Sequence, residues 1–156
     1  MISGQRKDIE SGTRNELVFG SNGELFISSY VINENTNLME KVKLLVDTGF
    51  NGIIQLSQAL VDKLQLKIID KGETTLADGS KREVGIIKTK IKILDIELQN
   101  VPIQISVGNG MHLIGTNFLK GMGQMLVIDY RSGIVTLTGN KKVQKKVHKA
   151  IEKYAG

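Results

Sequence analysis

The chain has 156 residues, of which 40% are hydrophobic, 4% are aromatic and none is cysteine, and its formal net charge is +5. This length and hydrophobic content suffice for one hydrophobic core. The absence of cysteine excludes disulfides and cysteine-ligated zinc. No apolar run reaches the roughly 18 residues of a membrane span. The first residues also lack the apolar segment of a signal peptide, so we expect one globular domain in the cytoplasm.

The chain begins with a polar stretch, and regular structure is expected to start near Leu17. We predict a flexible N-terminus over 1–16 and the folded domain over 17–138. Early in the domain, Asn22 and Gly23 separate two apolar segments. Both residues tolerate positive φ, so this dipeptide predicts a β-hairpin turn.

The next elements are predicted to be two strands and a short helix. The segment 39–47 is predicted to be a strand that ends at an aspartate, and 52–56 a further short strand. Ser57 is a suitable N-cap for a helix over 57–66. Three apolar residues of that helix are expected to face inward: Leu60, Val61 and Leu64.

The region from 67 to 107 has the strongest β pattern. Ile87, Ile91 and Ile93 alternate with lysines at the intervening positions, which predicts a strand with one buried and one solvated face. The segments 111–115, 124–130 and 134–137 are predicted to be strands, with a short helix near 115–121. The pattern therefore predicts an all-β domain with short helices.

The positive charge is concentrated at the C-terminus. Residues 141–156 contain six lysines and one glutamate, so the other 140 residues balance at 15 basic and 15 acidic groups. Apolar residues recur at three- and four-residue spacing, which predicts an amphipathic, lysine-rich C-terminal helix over 139–156. A solvated lysine face explains the pattern, and contact with an acidic surface is the alternative. Because no aromatic residues interleave with the lysines, nucleic acid is not an expected partner.

Asp47 is the main candidate for a catalytic group. It follows the apolar run Leu44-Leu45-Val46, so both faces of that strand should be covered and Asp47 should lie deep. A buried carboxylate is costly unless it is paired, protonated or hydrogen-bonded. A simple turn would use the same residue types, Asp, Thr and Gly. The apolar context favours a functional role.

Three segments, in order, carry a family resemblance. "DTG" follows an apolar strand, "LADGS" comes about thirty residues later and "LIGTNFL" about seventy residues later. This set resembles the retropepsin-like (clan AA) aspartic proteases, which comprise retroviral proteases and small single-domain prokaryotic relatives. The resemblance covers residues 25–137. It implies an all-β, closed β barrel, the acid-protease fold. The expected architecture is this barrel with a short helix after the catalytic loop, one near 115–121 and, beyond the part that the resemblance covers, the C-terminal amphipathic helix.

The resemblance also assigns site residues. The catalytic motif corresponds to Asp47, Thr48 and Gly49, and Gly115 is implied to allow close backbone approach behind the catalytic loop. The family's flap is a hairpin, which the segment around Asp78-Gly79 resembles. The expected substrate-binding residues of flap and cleft are Phe50, Asn51, Leu76, Ala77, Asp78, Gly79 and Ser80.

One departure concerns the position after the motif, which is commonly small in that family and is Phe50 here. Substrate specificity therefore does not transfer from the retroviral enzymes. The chain also continues past Leu137 into the lysine-rich helix, whereas retroviral enzymes pair their chain ends in the dimer. The mode of subunit contact can therefore differ from theirs.

The chemistry implied by the resemblance needs two carboxylates, and this chain has one DTG motif. A two-fold homodimer would bring Asp47 to its copy, and the pair would activate a water for hydrolysis of a peptide or protein substrate. The protein is thus expected to be an aspartic endopeptidase. The alternative is a non-catalytic peptide-binding or dimerisation module on the same scaffold. With two histidines and no cysteine, we expect no metal site and no cofactor.

Overall fold

The computed structural model describes residues 13–14, 17–93, 96–106, 108, 110–122, 125–129, 131, 134–138 and 141–155. Within these residues the chain forms eleven strands and three helices. In order they are β1 (Thr13–Arg14), β2 (Leu17–Phe19), β3 (Leu25–Asn33), β4 (Leu38–Asp47), β5 (Ile54–Leu56), α1 (Gln58–Lys63), β6 (Asp70–Thr75), β7 (Lys81–Ile93), β8 (Ile96–Ile105), β9 (Leu113–Gly115), α2 (Thr116–Met122), β10 (Met125–Asp129), β11 (Ile134–Thr138) and α3 (Lys141–Ala155).

Six strands close into a barrel. The pairing runs β3-β4-β9-β5-β8-β7, and β7 pairs back onto β3 to complete the ring. The closing pair is antiparallel, with Val31 opposite Ile91. The strands β2 and β6 extend the sheet beyond β3 and β7, respectively. The predicted all-β fold with a closed barrel is therefore confirmed.

A second, three-stranded sheet pairs the first described residues with a strand that precedes the C-terminal helix. Its order is β1-β11-β10, and Thr13 lies opposite Thr138. Thr13 and Arg14 fall within the segment predicted to be flexible. Here they form a strand, because their backbone pairs with β11. Residues 1–12, 15 and 16 lie outside the described part of the chain, and the division into 1–16, 17–138 and 139–156 stays a prediction.

The barrel encloses the core, and the predicted alternation is observed. Ile87, Ile91 and Ile93 are fully buried on β7, as are Ile27 and Val31 on β3. Full burial of such a side chain contributes about 1.5–3 kcal/mol. A set of such aliphatic side chains, drawn from strands far apart in the chain, therefore holds the barrel closed.

Three local predictions are confirmed outside the barrel pairing. The Asn22-Gly23 turn connects β2 and β3, and Gly23 has φ of 82°. Ser57 caps α1, with its hydroxyl accepting a hydrogen bond from the backbone N–H of Leu60. Leu60, Val61 and Leu64 are buried as expected. This helix directly follows β5, and these apolar residues pack in the core.

The C-terminal helix is present as α3, and the lysines at 141, 142, 145, 146, 149 and 153 are exposed. Residues 139, 140 and 156 of the predicted helix lie outside the described residues. Among the described residues, no helix combines the length and the apolar character needed to cross a bilayer.

Candidate active site

Asp47 is the last residue of β4, and that strand end is held from both sides. On one side Leu45 pairs with Phe26 of β3, and on the other Asp47 lies opposite Gly115 of β9. The backbone N–H of Leu45 also donates a hydrogen bond to the carbonyl oxygen of His112, at 2.9 Å. The position of the Asp47 backbone is therefore set by two neighbouring strands.

The DTG motif forms a tight turn at this strand end. A carboxylate oxygen of Asp47 (Oδ1) accepts a hydrogen bond from the N–H of Gly49 at 2.9 Å, and the carbonyl oxygen of Asp47 accepts one from the N–H of Phe50 at 3.2 Å. An aspartate that bonds the backbone two residues ahead is a common way to stabilise such a turn. The carboxylate is thereby oriented, and its other oxygen takes no part in this turn.

The expectation that Asp47 lies deep is wrong for the single chain. Leu44 is fully buried, but Leu45, Val46 and Asp47 are half-buried, and Thr48 and Gly49 are exposed. The apolar run leaves the core before it reaches the aspartate, so the turn projects from the barrel surface. Burial within one chain therefore cannot explain why a carboxylate is placed here.

The loop after the motif rests on β9 and α2. A Cβ atom added at Gly115 would lie 2.6 Å from the carbonyl oxygen of Phe50 and closer still to that of Gly52. The N–H of Gly115 donates to the carbonyl oxygen of Ile53 at 2.9 Å. The predicted close approach at Gly115 is confirmed, because only glycine leaves room for the loop at this point.

A side-chain hydrogen bond fixes the same loop from α2. The amide nitrogen of Asn117 donates to the carbonyl oxygen of Asn51. The ring of Phe50 also folds back over Gly52, where an added Cβ atom would lie less than 3.0 Å from two of the ring carbons. Phe50 thus packs against the backbone of its own loop and contributes an aromatic side chain to the site.

The predicted flap hairpin is present, formed by β6, β7 and the turn between them. Gly79 has φ of 84°, and its N–H donates to the carbonyl oxygen of Leu76. The carboxylate of Asp78 accepts hydrogen bonds from the Ser80 hydroxyl at 2.6 Å and from the Ser80 N–H at 2.8 Å. These bonds, the side-chain one foremost, lower the pKa of the Asp78 carboxyl. The tip is a well-defined turn with Asp78-Gly79 at its apex.

The flap and the loop that contains the DTG motif, residues 47–51, together line a cleft of about 520 Å³. The cleft brings together six of the predicted site residues: Asp47, Gly49, Phe50, Asn51, Leu76 and Ala77. Thr48 and the hairpin tip, Asp78 to Ser80, lie outside its lining, so their predicted roles are untested by this geometry. Among the described residues that line the cleft, only Asp47 is ionisable.

Four lining residues were missed by sequence reasoning: Gln55, Thr74, Thr75 and Leu113. Gln55 lies between the buried residues Ile54 and Leu56, so strand alternation alone would have placed its side chain on the opposite face. Nothing in the sequence says that this face borders the cleft. That relationship depends on which strands pair with β5.

A second cavity, of about 610 Å³, lies near Asn33, Gln65 and Lys88. Asn33, at the end of β3, lies beside the first residue of β4, whereas Asp47 is the last residue of β4. The length of β4, about 30 Å, therefore separates this cavity from Asp47. This larger cavity contains none of the predicted site residues. The smaller cleft is therefore the candidate active site.

Among the described residues, no cluster of three or more His, Cys, Asp or Glu side chains could hold a metal ion.

The comparisons with known proteins agree with this geometry. Residues 35–121 match the family model described as "gag-polyprotein putative aspartyl protease". A retropepsin-like aspartic protease from Rickettsia conorii superposes with a TM-score of 0.55 at 19% identity, over 83% of this chain and 95% of that one.

Two viral proteases give lower scores. The EIAV protease with the inhibitor HBY-793 has a TM-score of 0.43 at 17% identity, over 71% and 99% of the chains. The simian foamy virus (mac) protease has 0.42 at 12%, over 62% and 93%. No curated protein gives a significant match.

Proposed function

The chain belongs to the gag-polyprotein aspartyl protease family and has the retropepsin-like fold, and from that premise we propose that it is an aspartic endopeptidase that acts as a homodimer. The observation that carries this proposal is the position of Asp47. It is oriented by the turn that it caps, it lines a cleft covered by a hairpin, and it is the one ionisable group among the described residues of that lining.

The reaction supplies the reason for a dimer. Hydrolysis by this class needs one ionised carboxylate to take a proton from water and one protonated carboxylate to polarise the scissile carbonyl. Two carboxylates held a few ångströms apart share one proton, because like charges at that distance do not both ionise. A two-fold axis beside the exposed Thr48-Gly49 turn would bring Asp47 to its copy and cover both turns.

The cleft suits an extended peptide. The flap is a β-hairpin, and the floor is formed by strand ends and the catalytic loop, so a substrate can add as a strand and bond the backbone on both sides. Side chains of the substrate would then meet Phe50, Leu76, Ala77 and Leu113. The proposed substrate is a peptide or protein segment in an extended conformation.

The first test is cleavage of a diverse peptide library between about pH 4 and 7. Wild-type protein is compared with Asp47→Asn, a substitution that keeps the side-chain size and removes the charge. Cuts that are made by the wild type and not by the variant support the proposal. Identical products would contradict it and favour the non-catalytic peptide-binding or dimerisation module.

The dimer is tested by mixing subunits. If each active site needs two Asp47 residues, re-equilibrating wild-type and Asp47→Asn chains in equal amounts leaves about a quarter of the dimers as active wild-type homodimers. Activity should therefore fall to about a quarter of that of a sample containing only wild-type chains at the same total concentration. A fall to one half, or a monomer by sedimentation at every accessible concentration, would contradict a shared site.

A further inference from the structure

Gln55 occupies a fixed position in the floor of the cleft. Its backbone lies in the middle of β5, between Leu113 of β9 and Gln104 of β8. The flanking residues Ile54 and Leu56 are buried in the core, which holds the strand in place. The side chain of Gln55 therefore projects from a rigid element toward the cleft that it lines.

The amide group of Gln55 is held in one orientation. Its nitrogen donates a hydrogen bond to the carbonyl oxygen of Met111 at 3.0 Å, and its oxygen accepts one from the amide of Gln104 at 3.2 Å. A carbonyl oxygen can only accept, so the contact with Met111 identifies which end of the amide is the nitrogen. Among the described residues, the Gln55 amide forms these two hydrogen bonds. One N–H and one oxygen lone pair are left to face a ligand.

The surroundings of Gln55 make this polar group selective. The other side chains that face the cleft beside it include the apolar residues Phe50, Leu76, Ala77 and Leu113. A peptide that fills the cleft removes water from the Gln55 amide, and an amide left without a partner is then unfavourable. A site built to hydrogen-bond a substrate side chain discriminates against one that lacks the group.

We propose that Gln55 is a specificity-determining residue that selects substrates carrying an uncharged hydrogen-bonding side chain, an amide or a hydroxyl, at the position it faces. This inference rests on the proposed function, from which it takes the substrate class, an extended peptide. In a two-fold dimer each chain contributes one Gln55, so the preference should recur at two positions equally far from the scissile bond on its two sides.

The test uses pairs of extended peptides that differ only in Gln versus Leu at one position, and that position is moved stepwise along the peptide so that one pair places it opposite Gln55. The variant Gln55→Leu removes the amide and keeps a similar volume. Gln58→Leu is the matched control, because Gln58 is exposed on α1 and bonds Asp62 on the same helix. For wild type and Gln58→Leu we expect kcat/KM to favour the Gln peptide about tenfold, the effect of one hydrogen bond to an uncharged partner. In Gln55→Leu that ratio should fall to one or below.

Binding separates this inference from the proposed function. The same peptide pairs are titrated against Asp47→Asn and against Asp47→Asn combined with Gln55→Leu. Preference for the Gln peptide in the first protein and not in the second supports the role of Gln55, even if the wild type cleaves nothing and the protease proposal fails. Equal discrimination by both proteins, or no discrimination by either, would overturn it.

Discussion

The α-carbon of Gly115 lies so close to the carbonyl oxygen of Gly52 that a Cβ atom added at Gly115 would fall within 3.0 Å of that oxygen. This contact joins β9 to the loop that follows the DTG motif. It involves backbone on both sides, so neither partner can rotate away as a flexible side chain could. The geometry of this loop therefore depends on a residue without a side chain.

The first prediction follows from that contact. Gly115→Ala should destabilise the fold by about 1–3 kcal/mol, as overpacking does, because the loop must move to admit the methyl group. Denaturant unfolding measures the change. Gly121→Ala is the matched control, since Gly121 lies in α2 and an added Cβ there would meet nothing within 4 Å. That variant should be neutral or slightly more stable. Equal destabilisation of both variants would contradict the packing argument.

The flap turn gives a second matched pair. Gly79 and Gly23 have φ of 84° and 82°, and both would place an added Cβ in open space. Alanine at either position should destabilise by about 1 kcal/mol, because an L-residue is strained in this backbone conformation. Only Gly79→Ala alters the hairpin over the cleft, so only this variant should lower kcat/KM. Similar kinetics for the two variants would argue against a role of the hairpin in substrate binding.

Asn117 should act on the loop that follows the DTG motif from outside the cleft. Its amide bonds the carbonyl oxygen of Asn51, and Asn117→Ala removes that bond. The expected loss of stability is about 1 kcal/mol, with a fall in kcat/KM of about tenfold or more because a loosened loop misplaces the cleft residues. Lys120→Ala, an exposed change on the same helix, should leave both quantities unchanged. Unaltered kinetics for Asn117→Ala would show that the bond is dispensable.

His112 should make stability depend on pH. Its Nε2 lies 3.0 Å from the Ser57 hydroxyl, and burial lowers the pKa of the imidazole from its usual 6.5. As pH falls below 6.5 the unfolded chain binds a proton before the folded chain does. His112 thus destabilises the fold progressively from about pH 6.5 down to its lowered pKa, and this contribution is absent above pH 6.5.

The measurement is the free energy of unfolding of wild type and His112→Gln between about pH 5 and 8. The variant should lose less stability than the wild type as the pH is lowered through this range. Parallel curves for the two proteins would mean that His112 is not the group responsible.

Local features of the fold were predictable because a few neighbouring residues determine them. The turns at Asn22-Gly23 and Asp78-Gly79 need positive φ, which glycine supplies. The cap at Ser57 needs a hydroxyl at the start of α1, and the alternation on β7 records which face is buried. The ordered segments around Asp47 and Gly115 likewise predicted the retropepsin-like fold, because that pattern is specific even at low overall identity.

The tertiary structure decided what surrounds Asp47. Its half-buried position, the pairing of Thr13 with Thr138 and the place of Gln55 in the cleft were not predicted. Gln55 and Met111 are 56 positions apart in the chain, and they meet only because β9 pairs with β5 and the barrel closes between β3 and β7. Short-range patterns record which face of a strand is apolar, whereas the neighbours of that face depend on the order and register of all six barrel strands together.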